Sequence, residues 1–368
     1  MPGERYLRHA LVEGLDQDAL ARTRIAVVGA GAVGNEVVKN LALLGVGAID
    51  LFDFDTVEIH NLTRSIFLRE SDVGAAKAEA VAARAAEVDP YVTITPIAGD
   101  AWRTLTLAHL ATCDALIAAV DNFDARLRLS QLALIAGVDL VNVGIDSRHA
   151  VVERFPFSAD ALPACYECHL PASAYARVAA RYSCGGLRRA LHAERKVATT
   201  AITASVAGAL AVQAALAIGA ADAPEARRVF IDTRTGAATT SILARQPECV
   251  GCGAFAQRPR VVRAEGGWLA ALRAAAPRAE AVRLSDALVF GYACTHCGVT
   301  PDALNYVGRR ADSLDDRIMR CAACGDLSVD VDIRSETTVD ALAAAFGPDT
   351  LPAKFLLADD VVIDLEMA

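Results

Sequence analysis

Eight of the ten cysteines in this chain stand in four C-x-x-C pairs: Cys165/Cys168, Cys249/Cys252, Cys294/Cys297 and Cys321/Cys324. A C-x-x-C turn offers two thiolates to one metal ion, and two such turns complete a tetrahedral zinc site. The last two pairs, with residues 298–320 between them, predict a compact zinc ribbon. The first two would close a second zinc site by clamping segments far apart in the chain. Disulfides are the competing use of paired cysteines, but they need an oxidising compartment. The N-terminal MPGERYLRHALVEG has charges where a secretory signal needs an apolar core, so a cytoplasmic location is expected. Of the two remaining cysteines, Cys113 opens the apolar run of ATCDALIAAVD and reads as a buried thiol. Cys184, in RYSCGGLRRALHAERK, has Arg181, Arg188, Arg189, Arg195 and Lys196 close in sequence. Neighbouring cations favour thiolate over thiol and make Cys184 the candidate nucleophile, against the plainer reading of an exposed loop thiol.

A second constellation begins at RIAVVGAGAVGNEVVKN. A short apolar strand runs from Arg24 to Val28, and Gly29, Gly31 and Gly34 then form G-x-G-x-x-G at the entry to a helix. That array is the fingerprint of a dinucleotide-binding βαβ unit, in which bare amides at a helix N-terminus receive a phosphate. Asp53, with Asp55 just behind it, ends the next apolar run roughly 20 residues on, where a carboxylate binds a ribose hydroxyl. NAD and ATP satisfy these features equally. Asn61, Arg64 and Lys77 follow the same strand end. A dinucleotide is held mainly by loop amides, whereas cleavage of a triphosphate at its α-phosphate needs cations on the phosphates. The competing reading of those three is a solvated loop, with Lys77 on a helix surface. Asp121, in AAVDNFDAR, ends an apolar strand at the ligand-binding edge of an open sheet. A carboxylate repels phosphates unless a cation intervenes, which points to magnesium; the alternative is a cap on the next helix.

The elements that must position these groups alternate along the chain. IAVVGA, AIDLFDFD, VTITPIA, DALIAAVDN and LVNVGID read as strands, and AAKAEAVAARAAEV as a helix stopped before Pro90. The pattern predicts a Rossmann-like, doubly wound α/β sheet, mostly parallel, with an antiparallel extension from VERFPF through VFIDTRTGAATTSIL. Residues 4–22 read as a helical arm. FAQRPR marks a boundary, dividing the chain into domains 1–255 and 256–368. The second domain is expected to be a small α+β unit with the helix WLAALRAAA, the zinc ribbon and a terminal hairpin, FLLADDVVIDLEM. Val197–Ala221 carries no charge, but it is alanine-rich and holds Thr199, Thr200, Thr203, Ser205 and Gln213, so it predicts a close-packed buried helix and no membrane span. With 54% hydrophobic and 22% charged residues the chain is a packed protein, and its net charge of −9 excludes the basic face of a nucleic-acid binder.

In order along the chain stand RYLRH, GAGAVGNEVVKNLALLGVGAIDLFDFD, HNLTR, VGAAK, AVDNFDAR, CYEC and CVGC. In this ordered set, spanning roughly residues 4–253, the chain resembles the ubiquitin-activating enzyme superfamily of the ThiF/MoeB/HesA type. Members adenylate the C-terminal glycine of a ubiquitin-fold protein with magnesium-ATP, and some then pass the acyl group to a cysteine as a thioester. The resemblance implies that Gly29, Gly31, Gly34, Asp53 and Asp55 hold the nucleotide. It implies that Asn61, Arg64 and Lys77 contact its phosphates and that Asp121 binds magnesium. Arg8 matches an arginine donated across a homodimer interface. Cys165, Cys168, Cys249 and Cys252 match a structural zinc site, and Cys184 falls in the crossover region, near residues 165–200, where a reactive cysteine is carried. Ala32 stands where many members have glycine, Ser65 where glutamine is common, and Cys184-Gly-Gly-Leu-Arg in place of C-x-E-A-G. Residues 256–368 lie outside the core resemblance and show no rhodanese cysteine. The whole is similar to bacterial activating enzymes of ubiquitin-like conjugation systems, which implies that the second domain recruits the ubiquitin-like protein or a ubiquitin-conjugating enzyme, the alternative being a domain that only stabilises the dimer. Other readings are activation of a thiamin- or molybdopterin-type sulfur carrier, peptide adenylation without a thioester, a non-enzymatic adaptor, and an NAD-dependent oxidoreductase.

Overall fold

The apolar run before the glycine array is strand β1 (Arg24–Val28), and its interior residues are shut off from solvent. A continuous apolar run is what the middle of a parallel sheet requires, because both of its faces are covered. The computed structural model describes residues 2–171, 173, 198–216, 225–298, 306–314, 320–321 and 323–366. The expectation for Cys184 lies outside these residues.

Two units are formed, one by the described residues before 170 and between 198 and 253, the other by those after 253. The first is built on an eight-stranded sheet. From one edge to the other run β3 (Thr93–Ala98), β2 (Ala48–Asp53), β1, β4 (Ala115–Ala118), β5 (Asp139–Ile145), β6 (His149–Phe155), β7 (Ala226–Asp232) and β8 (Ala238–Leu243). Strands β1 to β5 are parallel, and β6 to β8 are antiparallel, as the sequence pattern predicts. Pro96 is tolerated in β3 because that strand is at the edge. The longer helices are α1 (Ala32–Leu44), α2 (Lys77–Val88), α3 (Phe123–Ala136) and α4 (Ala201–Ala215).

Helix α4 is the uncharged segment. Thr200 caps it, and Thr203, Ala204, Ala207, Gly208, Ala211 and Val212 form its buried stripe. A Cβ on Gly208 would lie 2.5 Å from Glu36 Cβ, so the small stripe lets α4 press closely on α1. Burial is one-sided, for Ile202 is 67% exposed. No described helix is long and apolar enough to cross a membrane. The N-terminal arm is less regular than expected. It consists of a helix at Pro2–Arg5, a 3-10 turn at His9–Leu11 and a helix at Gln17–Arg22. Gly14 at φ +79° turns the chain, and Asp16 caps the last helix by accepting from Asp18 N and Ala19 N.

The second unit is a five-stranded sheet in the order β11 (Val329–Thr338), β10 (Ala281–Cys294), β12 (Phe355–Ala358), β13 (Val361–Asp364) and β9 (Arg260–Arg263). Helices α5 (Trp268–Ala275) and α6 (Val339–Phe346) pack their apolar sides into its core around Trp268, Leu272, Leu342 and Ile363. The terminal hairpin is β12–β13, turning through Asp359 at φ 51°.

Candidate functional site

Strand order places β2 on one side of β1 and β4 on the other, so a crevice opens beyond their C-terminal ends, the ligand-binding point of an open sheet. The glycine loop lies there. Gly29 has φ +104°, and a Cβ on it would sit 2.5 Å from Ala119 O. A Cβ on Gly34 would sit 1.8 Å from Gly29 O. The protein's own packing therefore demands both glycines. Gly31 is different: nothing lies within 4 Å of where its Cβ would be. It is the N-cap of α1 and supplies no side-chain cap, so first-turn amides face a space that a phosphate fits. Gly34→Ala is expected to lower the melting temperature, since overpacking costs about 1–3 kcal/mol. Gly31→Ala should melt within a degree or two of the parent (roughly, for a sub-kcal/mol change) while weakening phosphate-ligand binding. Equal melting of the two variants would contradict this division.

Asp53 ends β2 against that loop. Its Oδ2 accepts from Ala30 N at 2.6 Å and its Oδ1 from Asp55 N at 2.8 Å. Burial pushes its carboxyl up, against the pull of those two amides and of Lys77. Lys77 opens α2 with its side chain only 12% exposed, and its Nζ donates to Asp55 Oδ2 at 2.7 Å. The surface-lysine alternative therefore does not hold. Asn61 is buried, its Oδ1 accepting from Glu58 N at 2.9 Å. Arg64 is half-buried and donates Nη1 to His60 O at 2.8 Å, with no carboxylate partner among the described residues.

Asp121 is exposed just beyond β4. The cap of α3 is its neighbour Asn122, whose Oδ1 accepts from Ala125 N at 2.8 Å. Asp121 is thus not the cap of α3. Beneath it, Arg126 donates to Val120 O and to Asn142 Oδ1. Asn142 Nδ2 in turn donates to Glu153 Oε2 at 2.6 Å, and Arg228 Nε to Glu153 Oε1 at 2.8 Å. Burial pushes the Arg126 guanidinium down.

Arg8 is not brought to this crevice by its own chain. Arg5 and Tyr6 bind Asp89, just past the C-terminal end of α2, whereas Lys77 begins that helix. Helix length separates those ends by about 17 Å. Arg8 is exposed there, beside Leu7, Leu11 and Val12, which are 63%, 85% and 53% exposed.

The thiols meet as their spacing predicts. Cys165 Sγ lies 3.9 Å from Cys168 Sγ and 3.6 Å from Cys249 Sγ, and Cys168 Sγ lies 3.5 Å from Cys252 Sγ. In the second unit Cys294 and Cys324 are 3.7 Å apart and Cys297 and Cys321 3.8 Å. Four sulfurs at about 2.3 Å from a tetrahedral zinc are about 3.8 Å from one another. Both clusters therefore fit zinc. In the first, contacts with Cys168 push the Cys165 thiol up, and contacts with Cys165 hold Cys168 down. Cys113 is buried, and burial pushes its thiol up to about 11. Its neighbour Asp50 is bound by Arg24, at 2.7 and 3.1 Å, and by His109 Nε2 at 2.9 Å, so the group of Asp50, His109 and Cys113 reads as a buried ion pair.

Residues 4–252 match the model of the ThiF family. The chain belongs to the ThiF family. It resembles the SAMP-activating enzyme E1 of Haloferax volcanii, 32% identical over 174 residues that cover 46% of this chain and 62% of that protein. It also resembles the molybdopterin-synthase adenylyltransferase of Salmonella typhimurium, 32% identical over 171 residues, covering 45% and 66%. The chain thus spans just under two thirds of the length of these curated relatives. Among solved structures, E. coli MccB with succinimide shares the fold, with a TM-score of 0.53 at 24% identity over 68% of this chain and 74% of that one. The ThiF match takes in the first thiol cluster and stops before the second. Within the ThiF region the buried Asn35 and the half-buried Arg126 were not anticipated from sequence. Asn35 carried a signal, because asparagine is a poor helix interior residue and needs a partner when buried.

Proposed function

We propose that this chain uses magnesium-ATP to adenylate the C-terminal glycine carboxylate of a ubiquitin-fold protein. The observation that carries this reading is the open Gly31 position at the N-terminus of α1, next to Ala30, whose amide Asp53 binds, with Lys77 on the neighbouring Asp55 and Arg64 a cation with no carboxylate partner among the described residues. Asp53 takes the ribose, Arg64, Lys77 and Asn61 the phosphates, and Asp121 the magnesium. The acceptor carboxylate oxygen bonds to the α-phosphorus, the bond from that phosphorus to the bridging oxygen breaks, and pyrophosphate leaves. Positioned cations stabilise the charge developing on the phosphates. The relatives' names support adenylation, and the exposed Arg8 arm with its apolar neighbours supports a homodimer in which each arm completes the partner's site. In a second step the Cys184 thiolate attacks the acyl carbonyl and AMP leaves, giving a thioester for a conjugating enzyme. The second unit recruits one of these partners. The name of the Salmonella relative favours one further reading, activation of a sulfur carrier, which needs no such thioester.

Exchange of labelled pyrophosphate into ATP tests the first step, with ubiquitin-fold proteins ending in glycine as acceptors and a short peptide as comparison. Exchange is expected with a ubiquitin-fold protein and abolished by removing its terminal glycine. Exchange with the peptide alone would reject the acceptor class. A thiol-sensitive adduct on denaturing gels, lost in Cys184→Ala, is expected for the second step. Exchange without any adduct would leave the sulfur-carrier reading in its place.

A further inference from the structure

Asn35 is completely buried in the first turn of α1, behind the glycine loop. Its Nδ2 donates to Ala30 O at 2.8 Å and to Gly31 O at 3.1 Å, while its Oδ1 accepts from Phe67 N at 3.0 Å. A carboxamide can donate two hydrogen bonds from its nitrogen while accepting on its oxygen, so one side chain can join several pieces of backbone. The partners belong to separate pieces of chain. Ala30 and Gly31 are the glycine loop, and Phe67 closes the HNLTRSIF stretch that carries Asn61 and Arg64. Phe67 is itself an anchor: its ring is buried, and its carbonyl accepts from Arg84 Nη1 at 3.1 Å. Between Asn61 and Phe67 the backbone bonds are local, such as Arg64 N to Asn61 O at 3.2 Å. An apolar side chain would fill the volume of Asn35 but strand the Phe67 amide and the Ala30 carbonyl away from water, and the loops would shift to satisfy them.

We infer that Asn35 is a positioning residue that locks the phosphate cradle and Arg64 into one piece before nucleotide binds. The inference rests on the crevice being the ATP site. Asn35 touches no substrate; it acts by fixing where Arg64 stands relative to the Gly31 amides. Catalytic and binding geometry of this kind depends on supports whose own rotamers are locked.

Dissociation constants for magnesium-ATP, measured by calorimetry on the full chain, test it with Asn35→Ser, Arg64→Ala and the double variant. Arg64→Ala is expected to weaken binding about tenfold, the scale of one charge-assisted hydrogen bond. Asn35→Ser should cost a similar factor, and the double variant about tenfold in total instead of a hundredfold, because the two substitutions remove the same contact. A product of the two losses, or unchanged affinity in Asn35→Ser, overturns the inference. Native-state hydrogen exchange on the unsubstituted chain needs no variant. The Phe67 amide should be as protected without nucleotide as the amides of α1, and exchange at loop rates would also overturn it. If the unsubstituted chain fails to bind magnesium-ATP, the adenylation reading falls and takes this inference with it. If it binds and Asn35→Ser is indifferent, only the inference falls.

Discussion

Cys252→Ser is expected to lower the melting temperature of the first unit by roughly 10–20 °C, the consequence of losing about 5 kcal/mol in a domain of this size. Cys252 is fully buried and stands 3.5 Å from Cys168 Sγ. The four thiols draw the segment after β6 and the segment after β8 to one point, so a metal ion shared by them would act as a cross-link between parts of the chain distant in sequence. Apparent binding energies of structural zinc reach about 10–16 kcal/mol, and they count as folding energy wherever the unfolded chain has no preformed site. A Gly251 Cβ would lie 2.3 Å from Glu167 Oε1 and 3.3 Å from Cys165 Sγ, so the knuckles interlock closely and cannot relax around a missing ligand. Cys324→Ser gives the contrast. Cys324 is exposed, and its cluster belongs to the second unit. Its loss should leave the first unit's melting and magnesium-ATP affinity unchanged. Metal analysis should find two zinc ions per unsubstituted chain and one in either variant. A chain that carries no metal and melts identically after Cys252→Ser would show that these thiols do not bind zinc structurally.

The first sheet was legible because its central strands β1, β2, β4 and β5 are buried on both faces and read as apolar runs, with the glycine array marking where the first turns into a helix. The second sheet was legible only in its terminal hairpin, β12–β13. Strand β10 slips register between Arg283 and Leu288 and again between Val289 and Gly291, which breaks the period-two alternation that marks a strand. β9 is a short edge strand, RVVR, next to a presumed boundary. In the candidate site, residue types and spacing picked out groups such as Asp53 and Asp121, which the structure places at strand ends. What they missed are the groups behind it. Asn35 and Arg126 act through partners far along the chain, at Phe67 and Asn142, and only the fold brings those partners near. Arg8 marks the opposite case, a residue read correctly as part of an arm but held by that arm at the far end of α2.

The adjacent residues Asp121 and Asn122 should separate chemistry from folding. Sequence alone left Asp121 with two uses, holding magnesium or capping α3. The cap is Asn122, so Asp121→Asn removes nothing that α3 needs, and its exposed position means that no core packing is lost. Its melting temperature should match the parent's. If Asp121 holds the magnesium of ATP, the variant leaves the phosphates partly uncompensated where charge develops, and pyrophosphate exchange should fall about 10²–10³-fold, the scale on which single electrostatic stabilisers act. The magnesium concentration needed for half-maximal exchange should rise as well, because an amide is a weaker ligand for a hard cation than a carboxylate. Asn122→Ala should behave in the opposite way. Removing an N-cap costs about 1 kcal/mol, lowering the melting temperature by a few degrees while exchange stays within about twofold of the parent at temperatures where the fold persists. Arg126 supports this separation, because it grips the Val120 carbonyl and holds the turn in place when the cap is lost. Reversed outcomes, with Asp121→Asn unstable but active and Asn122→Ala stable but inert, would return Asp121 to a structural role and leave the crevice without its magnesium ligand.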